Sequence, residues 1–439
     1  MLLRFSPCWA LLIYMLVAIL SGERLGVAQG LDKKTESPLA CTTLGDLVAE
    51  SANVSETLKA QSADALIAVE QYEAAKAAVK PTLKATAAVV KQDQSKSKVN
   101  SSDEAFPTTA KLTLSQPLFA GGAEYAALRR AEQQASQGAK QQEGARIKVA
   151  RDVISKAFQV LIAQAELKST SELRELSRRR LKNIQGRVAI GRSKSADGLG
   201  AEVQVANADA QYEVARLGLD SAVRQLQSVT GKNVQTVCEP VGKPPLAIKS
   251  WDELRSRVHQ RPDIQAADLG VTIADENIAI ARAGHFPVLD IGGNYYVKRP
   301  ESQKASGNWD VTLSASLPLY AGGLVSAKVN EAVAVVQKQK ALAGQLKRLA
   351  EDEARELWEV VTTGLLQLNS LEDAAKKSTQ YYQIMASDER KGLASSLETL
   401  QVLNASIDAQ RAAQKSKYKY GESVRQLQLV LGDLEGASR

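Results

Sequence analysis

The 439-residue chain is poor in the residues that normally build a globular core. Only 5% of its residues are aromatic, and it contains three methionines and three cysteines. Because aromatic side chains supply much of the buried area of an ordinary core, the core of this chain must come from closely packed small residues, chiefly alanine, in helices. The composition therefore favours an elongated, mainly helical protein over several compact domains.

Histidine is also scarce, and the pattern around it argues against catalysis. His259 and His285 are the only histidines, and neither has a cysteine or carboxylate cluster at metal-ligand or catalytic-triad spacing. The paired glycines lack the lysine and the spacing of a phosphate-binding loop. We predict no enzyme activity, no catalytic residue, no cofactor and no metal site.

The charge is mild for a chain of this length. The formal net charge is +7, and most basic residues are interspersed with acids, whereas a nucleic-acid binder needs a concentrated basic face. One cluster stands out, formed by Arg178–Arg180, Lys182, Arg187, Arg192 and Lys194. We interpret it first as a solvated helix face; a contact for an acidic partner protein is the alternative.

Only one long apolar run occurs, and it lies near the start of the chain. Ala10–Leu20 (ALLIYMLVAIL) follows Arg4 and precedes the small residues Gly26–Ala28, which is the pattern of a secretory signal peptide. The run is too short for a membrane span of about 20 residues. We predict a signal peptide over residues 1–28, with a retained anchor as the alternative, and no membrane-spanning helix.

The cysteines agree with export. Cys8 leaves with the signal peptide, so Cys41 and Cys238 are the only thiols of the mature chain. Two cysteines in an oxidising compartment favour a disulfide. Two separately buried thiols remain the alternative, because the sequence alone does not set the distance between them.

The mature chain is internally duplicated. Leu114–Ala126 (LSQPLFAGGAEYA) is repeated as Ala315–Ala327 (ASLPLYAGGLVSA), and the same offset of 201 residues relates Pro117 to Pro318, Gly191 to Gly392, Leu199 to Leu400 and Gly231 to Gly432. Such repeats define the architecture. We predict an N-terminal segment at 29–43, a first repeat at 44–231, a linker at 232–249, a second repeat at 250–432 and a tail at 433–439.

Each repeat predicts the order helix, strand, loop, strand, long helix, helix. The first helix covers Leu44–Lys80, and period-two alternation predicts strands over Leu83–Lys91, Ala110–Leu118, Val288–Lys298 and Trp309–Leu317. A proline and a glycine pair then mark a sharp strand-to-helix corner. The two corners contain Pro117, Gly121 and Gly122 in repeat one and Pro318, Gly322 and Gly323 in repeat two.

Uninterrupted helical sequence follows each corner. No proline occurs from Gly122 to Ile190, and Ile147, Ile154 and Leu161 recur every seven residues, which is typical of coiled-coil packing. A second stripe contains Leu346, Leu349, Leu357, Val361, Leu365 and Leu368. Helices of this length would be rods of roughly 100 Å.

The four strands have a length that suits a membrane. Strands of about ten residues span a bilayer when tilted, but the smallest barrels have eight strands, and an open edge in lipid leaves backbone groups unpaired. The chain must therefore oligomerise if its strands lie in a membrane. We expect Trp309, Val311, Leu313 and Leu317 to face lipid, and Asp310, Thr312 and Ser314 to face the lumen.

The chain resembles the outer-membrane efflux protein (TolC) family in several segments. These are the two PLxAGG corners, the segment Arg261–Ala267 (RPDIQAA), the approach Ala281–Pro287 (ARAGHFP) and the paired helix ends Val229–Gly231 and Val430–Gly432. The resemblance implies a mainly α fold with a membrane β-barrel contribution. It also implies a homotrimer with a twelve-stranded barrel in outer-membrane lipid and a twelve-helix tunnel in the periplasm. Such a duct works with a periplasmic adaptor and an inner-membrane pump.

A periplasmic adaptor or another structural coiled coil without a pore is the alternative function. It would account for the export signal and the long helices but not for the four amphipathic strands beside the glycine corners. The substrate and the class of pump stay open, because a passive duct carries what its partners deliver.

The resemblance also implies a pore constriction after the second-repeat turn. Glu398 and Gln401 occupy the matching positions, and the duplication places Asp197 where Glu398 stands in repeat two. A helix cap is the alternative role of both carboxylates, because Ser395–Glu398 fits a capping box and Asp197 suits a helix N-terminus. The two roles can coexist.

Overall fold

The computed structural model describes residues 41–91, 106–239, 250–300 and 307–438. Every element below belongs to a unit formed by residues 41–439. The predicted signal peptide, most of the segment 29–43 and most of the linker 232–249 lie outside the described residues. Among the helices that are described, none combines the length and the apolar character needed to cross a membrane.

The order of elements is the same in the two halves of the chain. Repeat one contains helices α1 (Leu44–Val54) and α2 (Glu56–Ala78), strands β1 (Thr82–Val89) and β2 (Thr108–Ala120), and helices α3 (Ala123–Ala189) and α4 (Ser195–Thr230). Repeat two contains α5 (Trp251–Val258), α6 (Pro262–Ala283), β3 (Val288–Lys298), β4 (Trp309–Ser316), α7 (Leu324–Lys391) and α8 (Ser396–Val430), and α9 (Leu434–Ser438) follows. The predicted mainly helical, duplicated fold is confirmed.

The prediction of one continuous helix over Leu44–Lys80 is wrong, because the helix is interrupted at Ser55. The hydroxyl of Ser55 accepts a hydrogen bond from the backbone N–H of Leu58 at 3.4 Å and caps α2. Serine competes with the helical backbone in this way and favours helix starts over helix interiors. In repeat two the corresponding break falls before Pro262, which occupies the first turn of α6, where a missing N–H costs nothing.

Two very long helices dominate the fold. α3 has 67 residues and α7 has 68, which corresponds to about 100 Å each at 1.5 Å per residue. α3 packs against α4, and α7 packs against α8. The seven-residue stripe predicted for α3 is buried at Ile154 and Leu161.

Small side chains make the helix–helix contacts, as the composition predicts. In α4 the buried alanines recur every seven residues, at Ala201, Ala208, Ala215 and Ala222. In α7 the buried positions Val336, Ala343 and Ala350 are followed by Ala354, Val361 and Leu368 at the same spacing. The prediction was wrong for Leu349 and Leu365, which are exposed, because neither residue falls on the two seven-residue series of buried positions.

The four strands form one antiparallel sheet in the order β1-β2-β3-β4. β2 and β3 are the central pair, although 167 residues separate the end of β2 from the start of β3. The two repeats are therefore joined in one sheet, with β1 and β4 at its edges.

A disulfide connects the N-terminal segment, just before repeat one, to the linker. Cys41 and Cys238 are bonded, with their Cα atoms 4.9 Å apart. Thr42 pairs with Val237 in a parallel bridge, in which Cys238 N–H donates to the Thr42 carbonyl at 3.0 Å. Just beyond the disulfide, Glu239 forms an ion pair with Lys417 of α8, so the linker is also held to repeat two.

Candidate functional site

The sheet has one polar face. Residues paired directly across antiparallel strands point to the same side, and the register pairs Thr113 with Asn294 and Asn294 with Asp310. Asn294 accepts hydrogen bonds from Thr113 Oγ1 at 2.8 Å and Lys111 Nζ at 3.3 Å, and it donates to Asp310 at 2.9 Å. A connected row of polar groups thus crosses three strands.

The opposite face is apolar and exposed. Trp309, Val311 and Leu313 alternate with the polar row, and the exposed fractions of Trp309 and Leu313 are 69% and 67%. The same face continues across the sheet with Leu83, Leu112, Leu114, Tyr295 and Val297, all exposed. Leu317, which was expected on this face, lies one residue beyond the end of β4. A contiguous exposed apolar surface of this kind marks contact with lipid or with another chain.

Both edges of the sheet are open within the described part of the chain. β1 and β4 each pair on one side only. β2 stays paired with β3 up to Ala120, whereas its counterpart β4 ends at Ser316. Leu319 and Tyr320, which follow β4, are each 91% exposed. Open strand edges are ready to pair with another strand.

The two glycine pairs lie where the strands give way to the long helices. Gly121 and Gly122 have φ of 67° and 80°, and Gly322 and Gly323 have φ of 60° and 84°, a left-handed conformation that glycine adopts without strain. A Cβ atom at Gly121 would also lie 2.6 Å from the Ala283 carbonyl oxygen. Pro117 lies in β2 next to a register shift, and Pro318 follows the end of β4.

At the other end of the long helices, the two turns have the same backbone design. Gly191 and Gly392 have φ of 70° and 79°. The next residue in each turn donates to the carbonyl five positions earlier, Arg192 to Arg187 at 2.8 Å and Leu393 to Asp388 at 2.9 Å. This hydrogen bond is typical of a Schellman helix end, so α3 and α7 end in the same type of turn.

The two carboxylates that follow these turns both cap helices. Asp197 accepts a hydrogen bond from the backbone N–H of Lys194 at 3.1 Å and from the Ser193 hydroxyl at 3.2 Å. Glu398 accepts from the backbone N–H of Ser395 at 2.9 Å, and the Ser395 hydroxyl accepts from Glu398 N–H at 3.2 Å. The second arrangement is a complete capping box.

The capping box changes the acidity of Glu398. The hydrogen bond from the Ser395 backbone, followed by that from its hydroxyl, lowers the pKa of Glu398 below its usual value. Because the folded pKa is the lower one, the ionised side chain stabilises the start of α8 at neutral pH. That stabilisation is lost as the pH falls through the folded pKa. Gln401 is exposed one helical turn further along α8.

Arg180 is not part of the solvated basic face to which the sequence interpretation assigned it. Its side chain and that of Glu389 are each only 12% exposed, and they form an ion pair at 3.3 Å. Arg180 also donates to the Ser396 hydroxyl at 2.8 Å and to the Ser396 carbonyl. It therefore ties α3 to the end of α7 and to the first turn of α8.

The sequence contained a signal for this role. Arg180 lies three and four residues from the buried Ser177 and Ile184, so it belongs to the inward stripe of the helix. Arg187 continues the stripe and lies 3.9 Å from Glu389. This periodicity is hard to see in the sequence, because Arg180 is the last of three consecutive arginines.

A second, half-buried network of ion pairs holds the RPDIQAA segment. Arg261 occupies the N-cap position of α6. It forms ion pairs with Asp263 at 2.8 Å and with Glu353 of α7 at 2.6 Å, and Arg151 of α3 forms an ion pair with Glu353 at 2.5 Å. Burial alone would raise the pKa of Glu353, but the hydrogen bond from Arg261 and the charges of both arginines hold that pKa below its usual value. The segment thus connects the two long helices, a role that the sequence motif did not indicate.

Replacing Lys194 by serine should stabilise α4. Lys194 is the N-cap residue and has an extended backbone, yet its side chain cannot accept a hydrogen bond as Ser395 does at the equivalent position. Lys194→Ser would complete a capping box with Asp197, and serine caps are worth about 1 kcal/mol. Denaturant unfolding should show the gain.

The matched control for this substitution is Ser395→Lys, which should lose a similar amount at the second turn. An unchanged midpoint for both variants would show that neither cap limits the stability of its helix.

Comparison with known proteins agrees with the geometry. The chain matches the family described as "Outer membrane efflux protein" over residues 47–232 and 255–433. The outer membrane protein TolC of Vibrio cholerae is 22% identical over 70% of this chain and 72% of that protein. The proteases secretion protein PrtF of Dickeya chrysanthemi is 24% identical over 77% of this chain and 78% of that protein.

The fold is also similar to solved structures. The CmeC outer membrane channel of Campylobacter jejuni superposes with a TM-score of 0.78, over 94% of this chain and 94% of that chain, at 16% sequence identity. The outer membrane protein VceC of Vibrio cholerae superposes with a TM-score of 0.76, over 90% of this chain and 96% of that chain, at 18% identity. At these identities the likeness establishes the fold.

Proposed function

Because the chain belongs to the outer membrane efflux protein family, we propose that it is the exit duct of a tripartite efflux or type I secretion system. The protein is located in the outer membrane and extends into the periplasm. The observation that carries the proposal is the exposed apolar face of a four-stranded sheet that continues into two pairs of long helices. An exposed apolar face of this kind would be unfavourable in a soluble adaptor, so it argues against the adaptor as the alternative function.

The pore would be assembled from three copies. One chain supplies four strands with two open edges, and an open edge in lipid leaves backbone groups unpaired at a cost of several kcal/mol each. Three copies of four strands give a closed twelve-stranded barrel, with the polar row of Thr113, Asn294 and Asp310 facing its lumen. Three copies of α3, α4, α7 and α8 give the twelve-helix tunnel.

The partners follow from the route that a substrate would take. A duct that ends in the periplasm must receive its substrate from an inner-membrane pump through a periplasmic adaptor. The name of PrtF, a proteases secretion protein, supports secretion as one use, and the efflux description of the family supports another. No enzyme activity is proposed, since the relatives are outer-membrane channel proteins.

Recording from planar bilayers tests the proposed function directly. Purified protein should insert as a trimer and give discrete conductance steps. A preparation that is trimeric by native mass spectrometry but conducts no current would contradict the duct. A monomer that stays in the soluble periplasm would contradict it as well and would favour the adaptor.

We also propose that Asp197, Glu398 and Gln401 line the narrow end of the tunnel. Their place immediately after the two helix turns supports this role, and capping leaves the second carboxylate oxygen of each acid available. Three copies would bring six carboxylates together, and their shared negative charge would favour cations.

Neutralising these acids should reduce the cation preference of the channel. We expect Asp197→Asn with Glu398→Gln to shift the reversal potential in a salt gradient toward zero and to weaken block by divalent cations. Ser395→Ala, which removes the cap hydroxyl but keeps both charges, is the control. If selectivity stays as in the wild type while trimers remain intact, the carboxylates only cap helices.

A further inference from the structure

The shorter helices of the two repeats have different surroundings. In repeat two, α6 packs against both long helices, α3 and α7. In repeat one, the main contact of α2 within the described part of the chain is with α3. Ile67 of α2 is exposed, whereas its duplicate Ile273 of α6 is partly buried. One side of α2 therefore offers a surface that the corresponding side of α6 covers.

The duplication matches these helices residue by residue. An offset of 206 residues relates Leu58 of α2 to Ile264 of α6, and both are buried. The same offset relates Glu70 to Glu276. An offset of 201 residues relates α3 to α7, as it relates the glycine corners before them. A contact seen in one repeat can therefore be transferred to the other.

Contacts inside each repeat follow these offsets. In repeat one, a Cβ atom at Gly138 of α3 would lie 3.2 Å from the Cα atom of Ala65 in α2. In repeat two, the duplicate of Gly138 is Gln339 of α7, and its side chain lies 4.0 Å from a Cβ atom built at Gly270 of α6. Position 270 is adjacent to position 271, the duplicate of Ala65. Each shorter helix thus packs on its own long helix in the same register.

The contact between the repeats involves the other side of α6. Arg129 of α3 forms an ion pair with Glu276 of α6 at 2.8 Å. Two turns further along α3, Gln137 Nε2 donates to the Ala266 carbonyl at 2.8 Å. The same nitrogen lies 3.1 Å from a Cβ atom built at Gly270. The long helix of repeat one therefore holds the shorter helix of repeat two.

The offsets turn this contact into a pair of charges at the next seam. The duplicate of Gln137 is Lys338 of α7, and the duplicate of Gly270 is Asp64 of α2. Both Lys338 and Asp64 are exposed in the single chain, and neither forms an ion pair with any residue in the described ranges. A cation and an anion therefore occupy the positions at which the within-chain seam brings two residues together.

A second position of the seam is also complementary. The duplicates of Arg129 and Glu276 are Asn330 and Glu70, so an amide that can donate a hydrogen bond stands opposite a carboxylate. Both are exposed in the single chain. The ion pair of the within-chain seam is thus replaced by an amide–carboxylate pair, and no like charges meet.

Apolar side chains accompany the two charges. Val335 and Leu342 of α7 are exposed, and they lie three residues before and four residues after Lys338, on the same stripe of the helix. Ile67 lies three residues after Asp64 on α2 and is exposed as well. Each helix therefore presents a mixed stripe with one charge, and the two charges are opposite.

We propose that α2 of one copy packs against α7 of the next copy, and that Asp64 and Lys338 form an ion pair across this seam. The inference rests on the proposed function, because it specifies how the three copies of the duct are joined. The apolar stripes would supply the buried area, and the ion pair would fix the register of the two helices. Because salt screens charges near the surface, the seam should weaken as the salt concentration rises.

The first test exchanges the two charges in the full-length protein in detergent. Asp64→Lys and Lys338→Asp each place like charges opposite each other, so we expect each to raise the monomer–trimer dissociation constant about tenfold. The double variant restores opposite charges and should return to within about twofold of the wild type. Analytical ultracentrifugation measures the constant.

Lys340→Asp is the matched control for net charge. Lys340 is exposed two residues beyond Lys338, and residues two apart do not share a helix face. The dissociation constant of this variant should stay within about twofold of the wild type. An equal loss in Lys340→Asp, or a double variant that is no better than the single ones, would overturn the ion pair.

Crosslinking tests the geometry even where the charge variants assemble poorly. Asp64→Cys with Lys338→Cys, treated with a short bis-maleimide, should link different copies and give dimer-sized and trimer-sized products. Cys41 and Cys238 are bonded to each other and do not react with the maleimide. A product of monomer mass that contains both labelled peptides would show that α2 meets its own α7, and it would overturn the seam.

The matched control is the duplicate pair inside one chain. Gln137→Cys with Gly270→Cys should give a crosslinked product of monomer mass, because the two positions adjoin within a copy. Conductance separates this inference from the proposed function. Trimers that conduct but neither crosslink at positions 64 and 338 nor respond to the charge exchange would leave the duct standing and overturn the seam. Trimers that crosslink between copies but conduct no current would overturn the duct alone.

Discussion

Lysine at Leu313 should prevent stable assembly of the protein in the outer membrane, whereas lysine at the neighbouring Thr312 should be tolerated. Leu313 is on the exposed apolar face of β4, and Thr312 is on the polar face opposite Gly292. A lysine near the middle of the lipid face of a barrel costs about 2–4 kcal/mol, and a trimer would bear that cost three times. Thr312→Lys should find space beside a glycine and reach water in the lumen of the proposed barrel.

The measurement is the amount of trimer in the outer-membrane fraction, identified by its dissociation on heating. Urea unfolding of the assembled trimer follows. Val311→Lys should reproduce the defect of Leu313→Lys, because both side chains share the apolar face. Ser314→Lys should behave like Thr312→Lys. Equal tolerance at positions 312 and 313 would mean that the apolar face does not meet lipid.

Loss of the disulfide should be the most damaging change outside the membrane. The bond joins Cys41 to Cys238 across 197 residues, and closing so long a loop restricts the unfolded chain strongly. We expect Cys41→Ser with Cys238→Ser to lower the free energy of unfolding by roughly 3–5 kcal/mol. Denaturant unfolding of the periplasmic helices, followed by circular dichroism, would measure the loss.

Reduction of the wild-type protein provides the matched control, because it breaks the bond without changing the sequence. The reduced wild type and the double variant should unfold at the same denaturant concentration. Equal stability of the reduced and oxidised wild type would show that the Thr42–Val237 bridge and the Glu239–Lys417 ion pair hold the linker without the disulfide.

The helix-capping role of Ser395 and Glu398 could be predicted because a local pattern was sufficient. Ser395 and Glu398 make the capping box that their spacing suggests, since both partners lie within one helical turn. The roles of Arg180 and Arg261 could not be predicted in the same way. Their partners Glu389 and Glu353 are 209 and 92 residues away, and nothing in a local pattern selects one distant carboxylate over another.

By itself, the sequence determined the duplication, the four strands, the corners and the long helices, because each depends on short-range chemistry. Period-two alternation specifies a strand, and a glycine pair allows a left-handed turn. Alanine recurring every seven residues specifies a close helix seam. These preferences act within one or two turns of chain and are visible without knowing what lies opposite.

Only the tertiary structure decided which elements meet. It joined β2 to β3 across the two repeats, buried Arg180 while leaving Arg179 exposed, and brought Cys41 beside Cys238. Each outcome depends on groups distant in sequence, whose packing outweighs local preferences that differ by only a few tenths of a kcal/mol to about 1 kcal/mol per residue.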